Sequence, residues 1–241
     1  MTDIDITSFD FADFGCSNGS SIEFGIKILK GRKGFGIDLD PKKVASTKAV
    51  GYDAIQGNFC NLDLPDSCVD FTILNHTLEH LPTLDFAKKA IENAVRISKK
   101  FVFIKGPFFD ADDYLKSLEL KFYWSDWSGH TLHLKAEQVM KILEEINIPN
   151  YEIYGRILLK SSKDATIHPL SSLKNQQHWE LEKHGVKPIL DFTQPVYREF
   201  FAIVWLSEDV NVSDVRNLSD RHLLYQKGAE GSPHYKPFVR S

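Results

Sequence analysis

The chain has 241 residues, of which 42% are hydrophobic and 26% charged, and its net charge is −4. This composition suits a globular protein with a substantial core, and the absence of a basic excess argues against general nucleic-acid binding. The three cysteines, Cys16, Cys60 and Cys68, form no CxxC pair, the acidic N-terminus lacks a basic-then-apolar signal, and no apolar run approaches the roughly 20 residues of a membrane span, so a cytoplasmic setting is expected.

Residues 9–14 predict a short buried strand ending at Gly15. Over residues 20–30, Ile22, Ile26 and Leu29 share one helical face, with Asn18 or Ser20 as the cap. The segment KGFGIDLDP reads as a second strand ending near Asp38. Asp40 caps the next helix, Pro41 suits its first turn and Gly51 closes it. YDAIQ is a third strand, and residues 69–74 are a fourth, apolar and partly β-branched. Leu84, Ala87, Ile91 and Ala94 trace a helix. FVFIK is a fifth strand, stopped by Gly106-Pro107. Ala136, Val139, Leu143 and Ile146 mark a further helix, and residues 151–159 and 198–206 the last strands.

Strands that alternate with helices predict βαβ units, hence an α/β, doubly wound and mostly parallel sheet. A single domain is expected over residues 1–206, followed by a polar tail at 207–241. Two segments break the rhythm: residues 107–134, rich in Phe, Tyr and Trp, and residues 160–197, rich in Ser, Lys, His and Pro. Both are long for plain connections and suit a substrate lid.

Ligands of such sheets bind beyond the carboxyl ends of the strands, and the first turn there is DFGCSNG. It lacks the G-x-G-x-x-G of a dinucleotide site. The spacing Asp13-x-Gly15-x-Ser17-x-Gly19 resembles the first motif of class I S-adenosylmethionine-dependent methyltransferases, with Ser17 in place of the middle glycine. The resemblance implies a Rossmann-like class I fold with an antiparallel final strand, and S-adenosylmethionine as cofactor with S-adenosylhomocysteine as product. Asp13 would hold the methionine amino group. The backbone from Gly15 through Cys16, Ser17 and Asn18 to Gly19 would pass beneath the methionine and ribose. Asp38, nineteen residues after Gly19, would accept the ribose hydroxyls, and Leu39 would pack on the adenine. Asn58 and the Phe59 amide would meet the adenine edge. The Leu64-Pro65-Asp66 turn and Asp70 occupy their expected places, and Asn75 and His76 would lie near the sulfonium methyl. The likeness covers about residues 7–106.

Methyl transfer needs alignment, and a base only where the acceptor must lose a proton. His130, in GHTLHL beside Asp126, is the candidate base, with His76 and His80 as further catalytic candidates. One branch of the family binds a divalent metal through Glu-x-x-Glu-His after the fourth strand. Here the string is His76-x-x-Glu79-His80, with the three expected on one helical turn; Glu79 and His80 are read as bracing the active-site floor, the alternative being a zinc, manganese or iron site completed by His130 or His133. Phe122, Tyr123, Trp124 and Trp127 read as core or lid packing, and His168, His178 and His184 as part of a solvated loop. The expected partner is a small polar molecule, methylated on oxygen or nitrogen, with a sugar or surface-glycan precursor as one candidate. No membrane or nucleic-acid partner is expected, and the oligomeric state is unassigned. The alternative is a catalytically inactive cofactor-binding partner or sensor subunit.

Overall fold

In the computed structural model, which describes residues 4–208, 210 and 218–228, the first strand β1 (Phe11–Phe14) is buried at every position. Then follow α1 (Ser20–Lys27), β2 (Gly34–Asp38), α2 (Pro41–Ala49), β3 (Asp53–Gln56), β4 (Val69–Asn75), α3 (Leu84–Ile97) and β5 (Ser98–Pro107). The second half carries α4 (Asp112–Ser117), β6 (Leu120–Phe122), α5 (Ala136–Glu145), β7 (Asn150–Ser161), β8 (Ile167–Pro169), α6 (Leu181–His184), β9 (Asp191–Trp205) and β10 (Arg221–Lys227).

Eight strands form one sheet in the order β10-β7-β9-β5-β4-β1-β2-β3. β1 lies between β2 and β4, and the five strands from β3 to β5 are parallel. The strand order therefore reverses beside β1, which opens a crevice at the carboxyl ends of β1 and β4. Local chemistry sets α2 and α3 as expected. The Asp40 side chain accepts the Lys42 N–H at 2.8 Å and Pro41 fills the first turn of α2. α3 buries Ala87, Ala90, Ile91, Ala94 and Ile97 along one stripe.

The closing strands are antiparallel, β9 pairing with both β5 and β7. β5 runs through Gly106-Pro107 rather than stopping there, because β9 continues the ladder to a Pro107–Glu199 pair. Pro107 is the last strand residue, where a missing N–H costs little. β10 adds an edge strand on β7 within the stretch read as tail, and residues 229–241 lie outside the described part. Among the described residues no helix is long and apolar enough to cross a membrane.

The two insertions are tied to each other. β6 and β8 form an antiparallel ribbon with Leu120 opposite Pro169 and Phe122 opposite Ile167. Within it His168 is fully buried, its ring 4.4 Å from that of His184. The ammonium of Lys187 donates to the Asp164 and Ile167 carbonyls at 2.7 Å each. The expected solvated loop is thus partly core. Burial, the His184 ring and the Lys187 and Lys121 charges push the His168 pKa down to about 4 from 6.5. The unfolded chain then takes up this proton at a higher pH than the native one, so stability falls as pH drops through 6.5 toward 4. Between pH 7 and pH 5 the loss should be about 2 kcal/mol. His168→Phe should remove it, as read by urea unfolding at the two pH values; the same acid loss in both proteins would refute the assignment.

Candidate active site

β1 delivers the chain to a corner that few side chains can occupy. Gly15 has φ +76°, and a Cβ there would lie 2.7 Å from Thr77 Cγ2. Its N–H donates to the Ile37 carbonyl at 2.7 Å, which ties the corner to β2. Ser17 and Gly19 also have positive φ, and Gly19, rather than Asn18 or Ser20, holds the N-cap position of α1. Asn18 instead accepts the Ser20 N–H at 3.2 Å. Cys16 is buried, its sulfur 3.4 Å from the Thr47 hydroxyl, and burial pushes its thiol up to about 11. It packs the corner and is no nucleophile at neutral pH.

Around this corner lie acceptors without donors. Asp13 is fully buried and neither carboxylate oxygen has a hydrogen-bond partner. Burial, then the nearby Asp38 charge, raise its pKa well above the usual carboxylate range. Asn75 donates to the Ser21 hydroxyl at 3.0 Å, but its own Oδ1 is buried and unpartnered. Asp38 accepts the Ser17 N–H at 3.2 Å on one oxygen and the Asp40 N–H at 3.0 Å on the other, so it anchors the glycine corner while keeping lone pairs for a ligand. Leu39, just beyond β2, is 65% exposed. Phe59 stacks its ring on Phe14 at 5.3 Å, and Asn58 accepts the Cys60 N–H at 3.0 Å. Orphaned oxygens beside a glycine-shaped cradle fit a ligand with a cationic amino acid end and a ribose, as S-adenosylmethionine has.

A cavity of about 470 Å³ opens under the insertions, with His76, Trp124, Trp127, His130, Arg156 and Glu199 among its walls. His76 directly follows β4 and has φ +52°. The expected single helical turn from His76 to His80 does not form, and only Leu78–His80 make a 3-10 turn. His76 Nδ1 is 3.3 Å from Glu79 and Nε2 is 3.7 Å from Glu199. Burial opposes its charge, but Glu199 and Glu79 outweigh burial and hold its pKa up to about 8. Glu199 is held down to about 2: burial works against this, and His76, Lys105 and Arg156 prevail.

His130 Nδ1 donates to the Trp124 carbonyl at 2.8 Å, and burial lowers its pKa, so the ring is neutral at pH 7 with its lone pair on Nε2. His80 lies with its ring 5.1 Å from that of His130 and donates from Nδ1 to the Gly129 carbonyl at 2.7 Å. His133 turns away, donating to Asp112 at 2.9 Å and stacking on Phe109. Ligand atoms of Glu79, His80 and His130 all lie within 4.8 Å of one another. Glu79 is buried with neither oxygen hydrogen-bonded, and each imidazole is oriented through Nδ1 by a backbone carbonyl. This donor set fits a divalent cation.

The sequence reading missed Arg156, Arg198 and Glu199. The one available signal was a charge inside an otherwise apolar strand, as in YGRILL and YREFFAIVW. Of the aromatics read as core or lid packing, Trp124 and Trp127 line the cavity, and Trp124 also stacks on the buried Phe122.

The family model for the methyltransferase domain matches residues 12–103, which span β1 through most of β5. No curated protein matches the sequence. A SAM-dependent methyltransferase from Archaeoglobus fulgidus is similar in structure, with a TM-score of 0.57, 15% identity, and 81% of this chain and 85% of that one covered. A SAM-dependent methyltransferase from Thermotoga maritima, described as a possible histamine N-methyltransferase, gives a TM-score of 0.52 at 13% identity, covering 83% and 82%. At such identities the likeness speaks for the fold, and the family model speaks for the domain. Residues 12–103 thus match the methyltransferase domain, and the fold built around them is similar to that of SAM-dependent methyltransferases.

Proposed function

We propose that the chain moves a methyl group from S-adenosylmethionine to an oxygen or nitrogen of a small polar acceptor held in the cavity beneath the insertions. One observation carries this reading: Asn75, with its orphaned acceptor beside the glycine corner, and His76, which lines the cavity, are consecutive residues at the end of β4. Asp13 and Asn75 would receive the cationic end of the cofactor and Asp38 its ribose. The cofactor supplies an activated methyl, and the protein's task is to exclude water and align the acceptor in line with it.

His130 is the group suited to take the acceptor's proton. Its Nδ1–H is committed to Trp124, and its neutral ring leaves Nε2 as the basic atom. His76 is mostly protonated at neutral pH, so it acts as a fixed positive charge beside the methyl site rather than as a base. His80 supports the His130 ring. A divalent cation on Glu79, His80 and His130 would act as a Lewis acid toward acceptor oxygen, but the proton role of His130 requires no metal. A sugar or surface-glycan precursor remains the first acceptor class to test, and the reading includes a cytoplasmic location.

The test is transfer of isotopically labelled methyl from S-adenosylmethionine to a panel of hydroxyl and amine acceptors. With a working acceptor, His130→Ala should lower turnover at least a hundredfold with S-adenosylhomocysteine affinity unchanged. Removing metal with a chelator should leave wild-type turnover intact. Loss on chelation, restored by zinc or manganese, would transfer His130 from base to ligand. Cofactor binding without turnover on any acceptor would favour the inactive partner reading.

A further inference from the structure

The cavity wall opposite the glycine corner carries two guanidinium groups. Arg156 on β7 stands in register with Glu199 on β9 and Leu158 with Tyr197, so Arg198 lies across from Ile157. Alternation along regular strands would send consecutive side chains to opposite faces. Here Arg156 and Ile157 both line the cavity, as do Arg198 and Glu199. The cause on β7 is visible: Ile157 has φ +59° and donates its N–H to the Asp220 carbonyl at 2.9 Å. A β-branched residue in the left-handed region is strained, and the strain turns a charged wall inward.

The charges there are not balanced one to one. Arg156 and Lys105 both contact Glu199, the latter at 2.9 Å, while Arg198 contacts Asp164 at 2.6 Å. Three permanent cations thus meet two carboxylates, and His76 with Glu79 adds one basic and one acidic group. Asp164 is further occupied by the Thr166 N–H and hydroxyl. The Nε atoms of Arg156 and Arg198 are buried without hydrogen-bond partners. A guanidinium has five N–H donors arranged for planar oxyanions. This concentration of positive charge stands in a chain whose net charge is −4. The indoles of Trp124 and Trp127 also line the cavity.

We infer that the acceptor is an anion: a carboxylate or phosphate held by Arg156 and Arg198, attached to a ring that packs on Trp124 and Trp127. The inference rests on the proposed reading of this cavity as the acceptor site, and it narrows the polar acceptor to a charged one.

The test titrates three ring probes of like size, benzoate, phenyl phosphate and benzyl alcohol, into the 241-residue chain with and without S-adenosylhomocysteine. At least one anion should bind tenfold or more tightly than benzyl alcohol, and added salt should weaken it. Preference for phenyl phosphate assigns a phosphate acceptor, and preference for benzoate a carboxylate. Arg198→Met should remove at least tenfold of the anion affinity and leave benzyl alcohol and S-adenosylhomocysteine unaffected. Should that variant not fold, the wild-type comparison and its salt dependence decide alone. Equal binding of all three probes, or an anion preference untouched by Arg198→Met, overturns the inference. Anion binding by a protein that does not take up S-adenosylhomocysteine would uphold the subsite and refute the cofactor reading, so the two failures are distinct.

Discussion

Asp38→Ala should weaken S-adenosylhomocysteine binding roughly ten- to a hundredfold. A hydrogen bond to a charged acceptor contributes about 1.5–3 kcal/mol, and every 1.4 kcal/mol is tenfold in affinity. Two effects add in the same direction. The proposed ribose acceptor is lost, and so are the bonds from the Ser17 and Asp40 N–H groups that shape the glycine corner. Calorimetry on the purified variant gives the affinity directly, and a thermal melt shows whether the fold is intact. A folded variant with wild-type affinity would remove Asp38 from the cofactor site.

Asp13→Asn should move stability and affinity in opposite directions. The Asp13 carboxyl is buried, without a hydrogen-bond partner, and held well above its ordinary pKa by burial and by Asp38. A group whose folded pKa is raised contributes stability below its unfolded pKa and loses it as pH rises. At neutral pH the ligand-free protein therefore carries a cost that a neutral amide of the same shape does not. The variant should melt a few degrees higher at pH 7, since about 1 kcal/mol shifts a chain of this size by 2–4 °C. The gap between the two proteins should shrink as pH falls toward 4. Affinity for S-adenosylhomocysteine should drop at least tenfold, because the amide removes the charge that would meet the ligand's ammonium. A variant that melts lower, or binds equally well, would contradict the assignment of Asp13 as a site strained for its ligand.

Much of the parallel half was legible because local and periodic signals agree there. Asp40 and Pro41 mark the start of α2, the Ala–Ile stripe marks α3, and the apolar runs of β1, β2 and β4 bound the crevice. The acid and glycines of the first turn pointed to the corner, where the structure places the buried, unpartnered Asp13 beside positive-φ Gly15 and Gly19. The order of the two insertions was not legible, because it comes from pairing across long separations. Phe122 meets Ile167, and His130 meets Glu79 and His80, through contacts about fifty residues apart or a little less. No local pattern announces such pairs. Arg156 and Arg198 each sit in a predicted strand, and the positive φ at Ile157 goes with both lining one cavity. Residues 221–227 were too polar to read as a strand, which is the composition expected of an edge with one neighbour.

The most direct measurement is calorimetric titration of the whole chain with S-adenosylhomocysteine, using NAD as the comparison ligand. The glycine corner, with its buried unpartnered carboxylate, predicts saturable binding of S-adenosylhomocysteine and binding of NAD at least a hundredfold weaker. Absence of S-adenosylhomocysteine binding, or equal binding of NAD, would contradict the account at its centre.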